Sequence, residues 1–454
     1  MSALLKPLSL SALLLLSACA VGPDPMAKPQ AALPASFAEG NTGPAGDVAA
    51  HAWWGDYRDR MLSDLVARGL AQNLDVMAAN ERIRAAEADL SATGPLVAPL
   101  DGSTTAVRER GATSGGAVGH ATTSSLSAAF VFDLFGGQRR ARQGAAAALQ
   151  SSVDQAQTVR LAWLASVISA YADARFNQQA LALTRETISA RARTVDITRT
   201  KTEMGSATAF ELAQAEALLA TARADLPGYE AQFNAQVFRL ATLLDEPAGP
   251  LLSAMQRGAA PLRTPAGPGT GTPADLLRNR PDVRSTEQDL AAALAAVGVA
   301  QAAMLPSISL TGRISDVAGS QTWGFGPQLS LPVFNQGTLQ VTRARRVSEV
   351  RQAEIAWRAA VSAAVEDVQT AQSNLRRHRQ RSGTLQTAAA SYDRAYDLAQ
   401  QNFQAGSLSL LDLLEVDRSR ASARLSAALA QGDAAKEWAV LQIAIGAGAR
   451  QGQP

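Results

Sequence analysis
The chain has 454 residues, 47% of them hydrophobic, and its 42 Lys plus Arg against 40 Asp plus Glu leave a formal charge of +2. That near balance gives no sign of a polyanion partner and argues against nucleic acid. A single cysteine excludes a disulfide framework and a thiolate metal site.

The first element is a leader. Lys6 precedes the apolar run Leu8 to Leu16, and Leu16, Ser17 and Ala18 lead to Cys19. A charged start, a short apolar core and small residues before a cut site predict a secretory signal over residues 1–18, too short to span a membrane as a helix. Cys19 sits where the lipobox of bacterial lipoproteins places its acylated residue. It is expected to carry covalent lipid, with no other cofactor. Residues 19–50 are rich in Pro, Gly and Ala and read as an extended tether.

Beyond the tether the chain repeats itself. Gly205 to Leu212 reappears as Gly406 to Leu413, and Arg223 and Arg424 keep the same offset. Leu74-Asp75-Val76 corresponds to Pro281-Asp282-Val283, and Leu134-Phe135-Gly136 to Val333-Phe334-Asn335. Two repeats are predicted, 51–246 and 274–446, each taken as one structural unit, and the pair must build a joint surface. Between them lies 247–273, where 6 Pro and 5 Gly in 27 residues predict an irregular linker. Residues 447–454 read as a flexible tail.

Each repeat predicts the same order of elements: a helix, two strands, a very long helix, a Gly turn and another long helix. The proline-free stretches after Phe135 and Phe334 each allow a helix of roughly 65 residues, or roughly 100 Å. Leu385, Ala389, Tyr392, Tyr396, Ala399 and Phe403 are spaced in steps of 4 and 3, as are paired helices. Leu181, Ile188 and Val195 recur every seven residues.

The strands alternate. Ile308, Leu310 and Ile314 alternate with Ser307, Ser309, Thr311 and Arg313; Trp323, Phe325 and Leu329 with Gly324, Gly326, Gln328 and Ser330. Leu126, Ala128, Phe130 and Phe132 alternate with Ser125 and Ser127. Ten-residue segments of this kind in an exported chain fit transmembrane β-strands, with Phe130, Phe132, Ile308, Leu310, Trp323, Phe325 and Leu329 facing lipid. Four strands cannot close a barrel, and open edges are not tolerated in hydrocarbon, so several subunits must pool them. Twelve strands from three chains leave a passage where eight would be filled.

Cys19 to Asp24, Leu276 to Arg284, Phe325 to Phe334 and the turn from Gly406 to Arg418 resemble signatures of the TolC-type outer-membrane factors, within their lipoprotein subgroup. The resemblance implies a mainly α chain with a small β part. It implies a homotrimer with a 12-stranded transmembrane β-barrel, four strands per chain, continued by a long periplasmic α-helical barrel. It implies an outer-membrane exit duct of a tripartite efflux pump in a Gram-negative envelope, lipid-anchored and reaching into the periplasm. Gly205, Ser206, Gly406 and Ser407 would sit at tips that dock a periplasmic adaptor. Through it they would reach an inner-membrane transporter of the resistance-nodulation-division type. Leu411, Asp412 and Glu415 correspond to an apolar and acidic gate, and a carboxylate ring there would favour cations. Phe403 and Leu408 stand where some relatives latch the closed state with Tyr and Arg.

The same architecture serves type I protein secretion, which is the alternative use of such a duct. A periplasmic coiled-coil adaptor lipoprotein would lack the duplicated strand hairpins. His51, His120 and His378 are scattered, with no clustered metal or catalytic spacing, so no enzyme activity is expected.

Overall fold
A computed structural model of the chain describes residues 21–24, 33–39, 48–93, 100–110, 118–258, 261–266, 271–317 and 319–450. The expected signal segment and Cys19 lie outside the described residues, as does much of the tether.

The first repeat contributes α1 (Arg60–Gln72), α2 (Leu74–Ala92), β1 (Leu100–Arg110), β2 (Val118–Phe132), α3 (Gly137–Glu203) and α4 (Ala209–Leu244). After α5 (Ala248–Met255), the second contributes α6 (Pro273–Asn279), α7 (Pro281–Ala302), β3 (Ser307–Val317), β4 (Ser320–Ser330), α8 (Gln336–Gln404) and α9 (Leu410–Ala444). The long helices α3 and α8 run unbroken for 67 and 69 residues, as the absence of proline predicts. Each closes at a left-handed glycine, Gly205 (φ 72°) and Gly406 (φ 79°), where an L side chain is strained. Among the described residues, no helix is long and apolar enough to cross a membrane.

The two hairpins join into one antiparallel sheet in the order β1-β2-β3-β4, because β2 of the first repeat pairs with β3 of the second. The repeats are therefore not separate structural units. The described residues form two compact units, and each draws on both repeats. One contains Glu81–Asp154 and Arg284–Ala360 and holds the sheet; the other contains Ala32–Asn80, Gln155–Val283 and Val361–Pro454.

In the second unit the core gathers on aromatic side chains of a 3-10 turn, Trp53–Tyr57. Trp53 and Tyr57 meet Trp438 of α9 edge-on at 5.6 and 5.0 Å between ring centres. Both polar handles are satisfied: Trp53 Nε1 donates to Ala447 O at 3.0 Å and Tyr57 Oη to Ala435 O at 2.6 Å. The Arg280 guanidinium takes Asp282 in a fork, reaches Asp367 of α8 at 2.8 Å and donates to Ala444 O at 3.2 Å. Part of the Leu276 to Arg284 signature is thus a tie between the end of α6 and both long second-repeat helices.

Two boundary expectations are corrected. The stretch 247–273 is not wholly irregular: Pro250 falls in the first turn of α5, where its missing N–H is unneeded, and Leu251 and Met255 are buried. Nor are residues 447–450 a free tail. Ala447 and Ala449 are buried, and the N–H groups of Gly448 and Arg450 bond Val48 O and Ala49 O at 3.2 and 2.8 Å. The end of the expected tether and the start of the expected tail hold each other.

Gly446 has φ 80°, and a Cβ there would lie 2.4 Å from Asn279 O, whereas Gly406 faces open space. Gly446→Ala should therefore cost about 2 kcal/mol or more, and Gly406→Ala about 1 kcal/mol. The temperature at which each purified variant loses helical circular dichroism checks this; equal losses would contradict the clash.

Candidate functional site: the channel wall and the helical tips
Residues directly opposite each other on paired strands share a face of the sheet. Register places Leu126, Ile314 and Trp323 in one row, then Ala128, Gly312 and Phe325, then Phe130, Leu310 and Pro327, then Phe132, Ile308 and Leu329. All seven apolar strand residues singled out from the sequence stand on this face. The intervening rows hold Ser125, Ser315 and Thr322; Ser127, Arg313 and Gly324; Val131, Ser309 and Gln328. Ser103 and Ser125 hydroxyls meet at 2.9 Å on that polar side. The apolar side is bare in the single chain, with Trp323 82% and Phe325 73% exposed. Phe130 and Phe132 pack edge-on at 5.1 Å.

At the ends of α3 and α8 the chain reverses twice. The first reversal, Gly205 and Ser206, leads to Thr208, whose hydroxyl caps α4 by accepting Glu211 N–H at 3.2 Å. Glu211 returns a bond from Thr208 N–H at 2.7 Å, completing a capping box that holds its carboxyl below the usual range. The second reversal, Gly406 and Ser407, leads to Ser409, which caps α9 through Asp412 N–H at 3.2 Å. Leu410, Leu413 and Leu414 turn inward and are buried, leaving Leu411 64% exposed.

The two acids expected as a ring are already engaged. Ser409 Oγ donates to Asp412 Oδ2 at 2.6 Å, and Arg418 Nη1 donates to Glu415 Oε2 at 2.8 Å. Arg418 was legible as a helical i+3 neighbour, yet sequence reasoning passed over it. At the latch position Phe403 is buried, with Lys201 Nζ 4.1 Å from its ring centre and donating to its carbonyl at 3.0 Å. The ends of the two long helices are therefore tied directly.

Above the tips lies an ionic belt between the helical pairs. Arg191 Nε donates to Asp417 Oδ2 at 2.6 Å, both side chains under a tenth exposed, while Arg191 Nη1 reaches Leu218 O at 3.0 Å. Arg420 and Arg424 both hold Asp393 and Glu186, at 2.6 to 3.2 Å. Burial pushes the Asp393 carboxyl up, but the hydrogen bonds from the two guanidinium groups outweigh it and hold it below the usual range. Ala190, Val195, Tyr396, Ala399 and Phe403 fill the space between, so the heptad-like stripes are core; Tyr392 alone of the second-repeat stripe is markedly exposed. Among the described residues no metal-binding cluster of His, Cys, Asp and Glu occurs.

A strand sheet with one apolar and one polar face, joined to helices of about 100 Å, defines a channel-forming membrane protein. The family model described as "Outer membrane efflux protein" matches residues 65–246 and 272–447, and the chain belongs to that family. It is 36% identical over 448 residues to nodulation protein T of Rhizobium leguminosarum bv. trifolii, covering 96% of each chain. It is 31% identical over 433 residues to the pyoverdine export outer membrane protein OpmQ of Pseudomonas aeruginosa, covering 91% of each. The solved outer-membrane channel OprN superposes with a TM-score of 0.83 at 25% identity, over 95% of this chain and all of that one. The protein is an outer-membrane efflux duct, of a family of transport channels.

Asp417→Ala leaves the Arg191 guanidinium buried without its carboxylate and should cost about 3–5 kcal/mol, whereas Arg191→Met with Asp417→Leu should recover most of that loss. Thermal unfolding of the three proteins checks it, and equal losses would show the pair to be incidental. Asp393 has a depressed folded pKa. Its contribution is therefore present above the ordinary carboxylate pKa and fades as pH falls through the folded value, so Asp393→Asn should cost less stability at about pH 3 than at about pH 6.

Proposed function
We propose that three copies pool their strands into a twelve-stranded barrel in the outer membrane, continued by a periplasmic barrel of helices. The observation that carries this reading is a sheet whose β2, β3 and β4 share one apolar face, with two open edges, β1 and β4. Backbone left unpaired in hydrocarbon costs several kcal/mol per group, and antiparallel closure between copies removes it. Eleven-residue strands such as β3 and β4 span about 36 Å, or about 28 Å of membrane at a tilt near 40°. Phe130, Phe132, Ile308, Leu310, Trp323, Phe325 and Leu329 then face lipid, and Ser309, Arg313 and Gln328 face the lumen.

Lipid on Cys19 belongs to the same reading. Two residues on, Val21 N–H bonds Phe135 O at 3.1 Å, and Arg140 donates to the carbonyls of Val21 and Gly22 at 3.3 Å. These bonds hold the chain where β2 passes into α3, which is the level an acyl anchor needs. The tips bearing Gly205, Ser206, Gly406 and Ser407 dock a periplasmic adaptor, which links the duct to an inner-membrane transporter of the resistance-nodulation-division type. Leu411, exposed at the second tip, closes the axis with Asp412 and Glu415 beside it.

Arg at Leu310, Phe325 or Leu329 should impair membrane assembly by about 2–4 kcal/mol per subunit, while Arg at Ser309 or Ser330 is tolerated. Trimer yield from outer-membrane extracts measures it; like behaviour of both sets would remove the strands from the bilayer. At the gate, Leu411→Ala should raise conductance in planar bilayers. Glu415→Gln should shift selectivity toward anions more than Asp412→Asn, because it leaves Arg418 uncompensated. Unchanged conductance and selectivity in all three would place the gate elsewhere.

A further inference from the structure
A cleft of about 1190 Å³ opens in the second unit between the 3-10 turn, the start of α1, α3 and the segment 261–266. Its lining carries four arginines: Arg58, Arg60, Arg175 and Arg263. Arg58, Arg60 and Arg263 pair with no carboxylate among the described residues. The two acids present are otherwise occupied. Asp56 meets His51 at 3.2 Å, and Asp59 accepts Leu62 N–H at 3.1 Å and the Tyr171 hydroxyl at 2.7 Å. Arg175 is 3% exposed, and its guanidinium bonds the Tyr171 hydroxyl at 2.7 and 2.9 Å and Gln178 at 2.7 Å, not a carboxylate.

Two of these arginines stand against local preference. Arg58 has φ 54°, a left-handed conformation that favours Gly or Asn. Arg60 is the first residue of α1, where the helix dipole favours an acid. Placements that cost stability at a cleft point to a ligand. The far wall is preformed: Arg379 of α8 donates to Pro265 O at 2.6 Å, and Gln431 of α9 to Leu262 O at 3.2 Å.

We propose that this arginine cleft binds the carboxylate-bearing peptide stems of the cell-wall polymer that a periplasmic duct must pass through. Guanidinium forks match carboxylates two bonds at a time, and several along one cleft suit a peptide with repeated acids. The cleft is too large for a single small anion, and none of its lining residues belongs to a strand. Extended, polyanionic and fixed in the periplasm, the wall peptide is the partner of that chemistry. Binding would brace the duct. The inference rests on the trimeric periplasmic reading above.

The test uses the purified full-length trimer in detergent, sedimented with isolated cell-wall sacculi. The comparison is a variant carrying Arg58→Gly, Arg60→Gln and Arg263→Gln; the first of these suits the left-handed backbone. Wild type should co-sediment at low salt, and the triple variant should lose at least about tenfold of that affinity while keeping its planar-bilayer conductance. Sacculi stripped of peptide stems, or with stem carboxylates chemically amidated, should fail to bring wild type down. No sedimentation of a conducting wild type would overturn the inference, as would equal binding by the variant or binding to stripped glycan. A wild type that forms no conducting trimer would instead overturn the reading on which it rests.

Discussion
Hydrocarbon does not tolerate an open sheet edge, and the rest of this molecule depends on that fact. The chain supplies four antiparallel strands with β1 and β4 unpaired at the margins. Had the two repeats formed separate hairpins, each would carry its own two edges. Pairing β2 with β3 across the repeats halves the number to be closed. What remains is closed only by other copies of the chain, so the membrane sets the assembly. In the trimeric reading the helices then inherit a ring from the strands they follow.

Much of this was legible in the sequence because each decisive signal is local. A period of two along Ser307 to Ser330 gives the faces, and the register adds that β2, β3 and β4 agree, whereas β1 puts Thr104 and Arg108 on the apolar face and Val107 on the other. The long helices follow from proline-free runs, and each ends at a glycine of positive φ, Gly205 and Gly406. The repeat gives the element order. It does not give the units, because strand pairing and helix packing join repeats rather than residues near in sequence. The helix at Ala248–Met255 escaped because counting prolines ignores where in a turn each proline falls. Residues 447–450 escaped because their partners, Val48 and Ala49, lie at the other end of the chain.

The tip divides in the same way. Exposure of Leu411 beside buried Leu410, Leu413 and Leu414 follows from helical spacing. The partners of Asp412 and Glu415 are three residues away and also follow from spacing. Arg191 with Asp417, separated by 226 residues, does not. No period or motif connects them, and both would read as solvated charges on their own helices. Only packing of α3 against α9 turns them into a buried pair.

Choice of cation completes the picture. Lys6, Lys28, Lys201 and Lys436 are the only lysines, so 38 of the 42 basic residues are arginine. A guanidinium presents five donors in a plane and serves two partners at once, as Arg280, Arg420 and Arg424 do here. Such a tie joins three helices where an ammonium would more often join two. In Arg420 and Arg424 the same two acids are shared by both cations, so loss of one bond leaves others in place. Apolar interlock alone gives a tight core but a single register. A network of shared acids ties α3, α8 and α9 at several points, which is what the gate proposed at Leu411 would require.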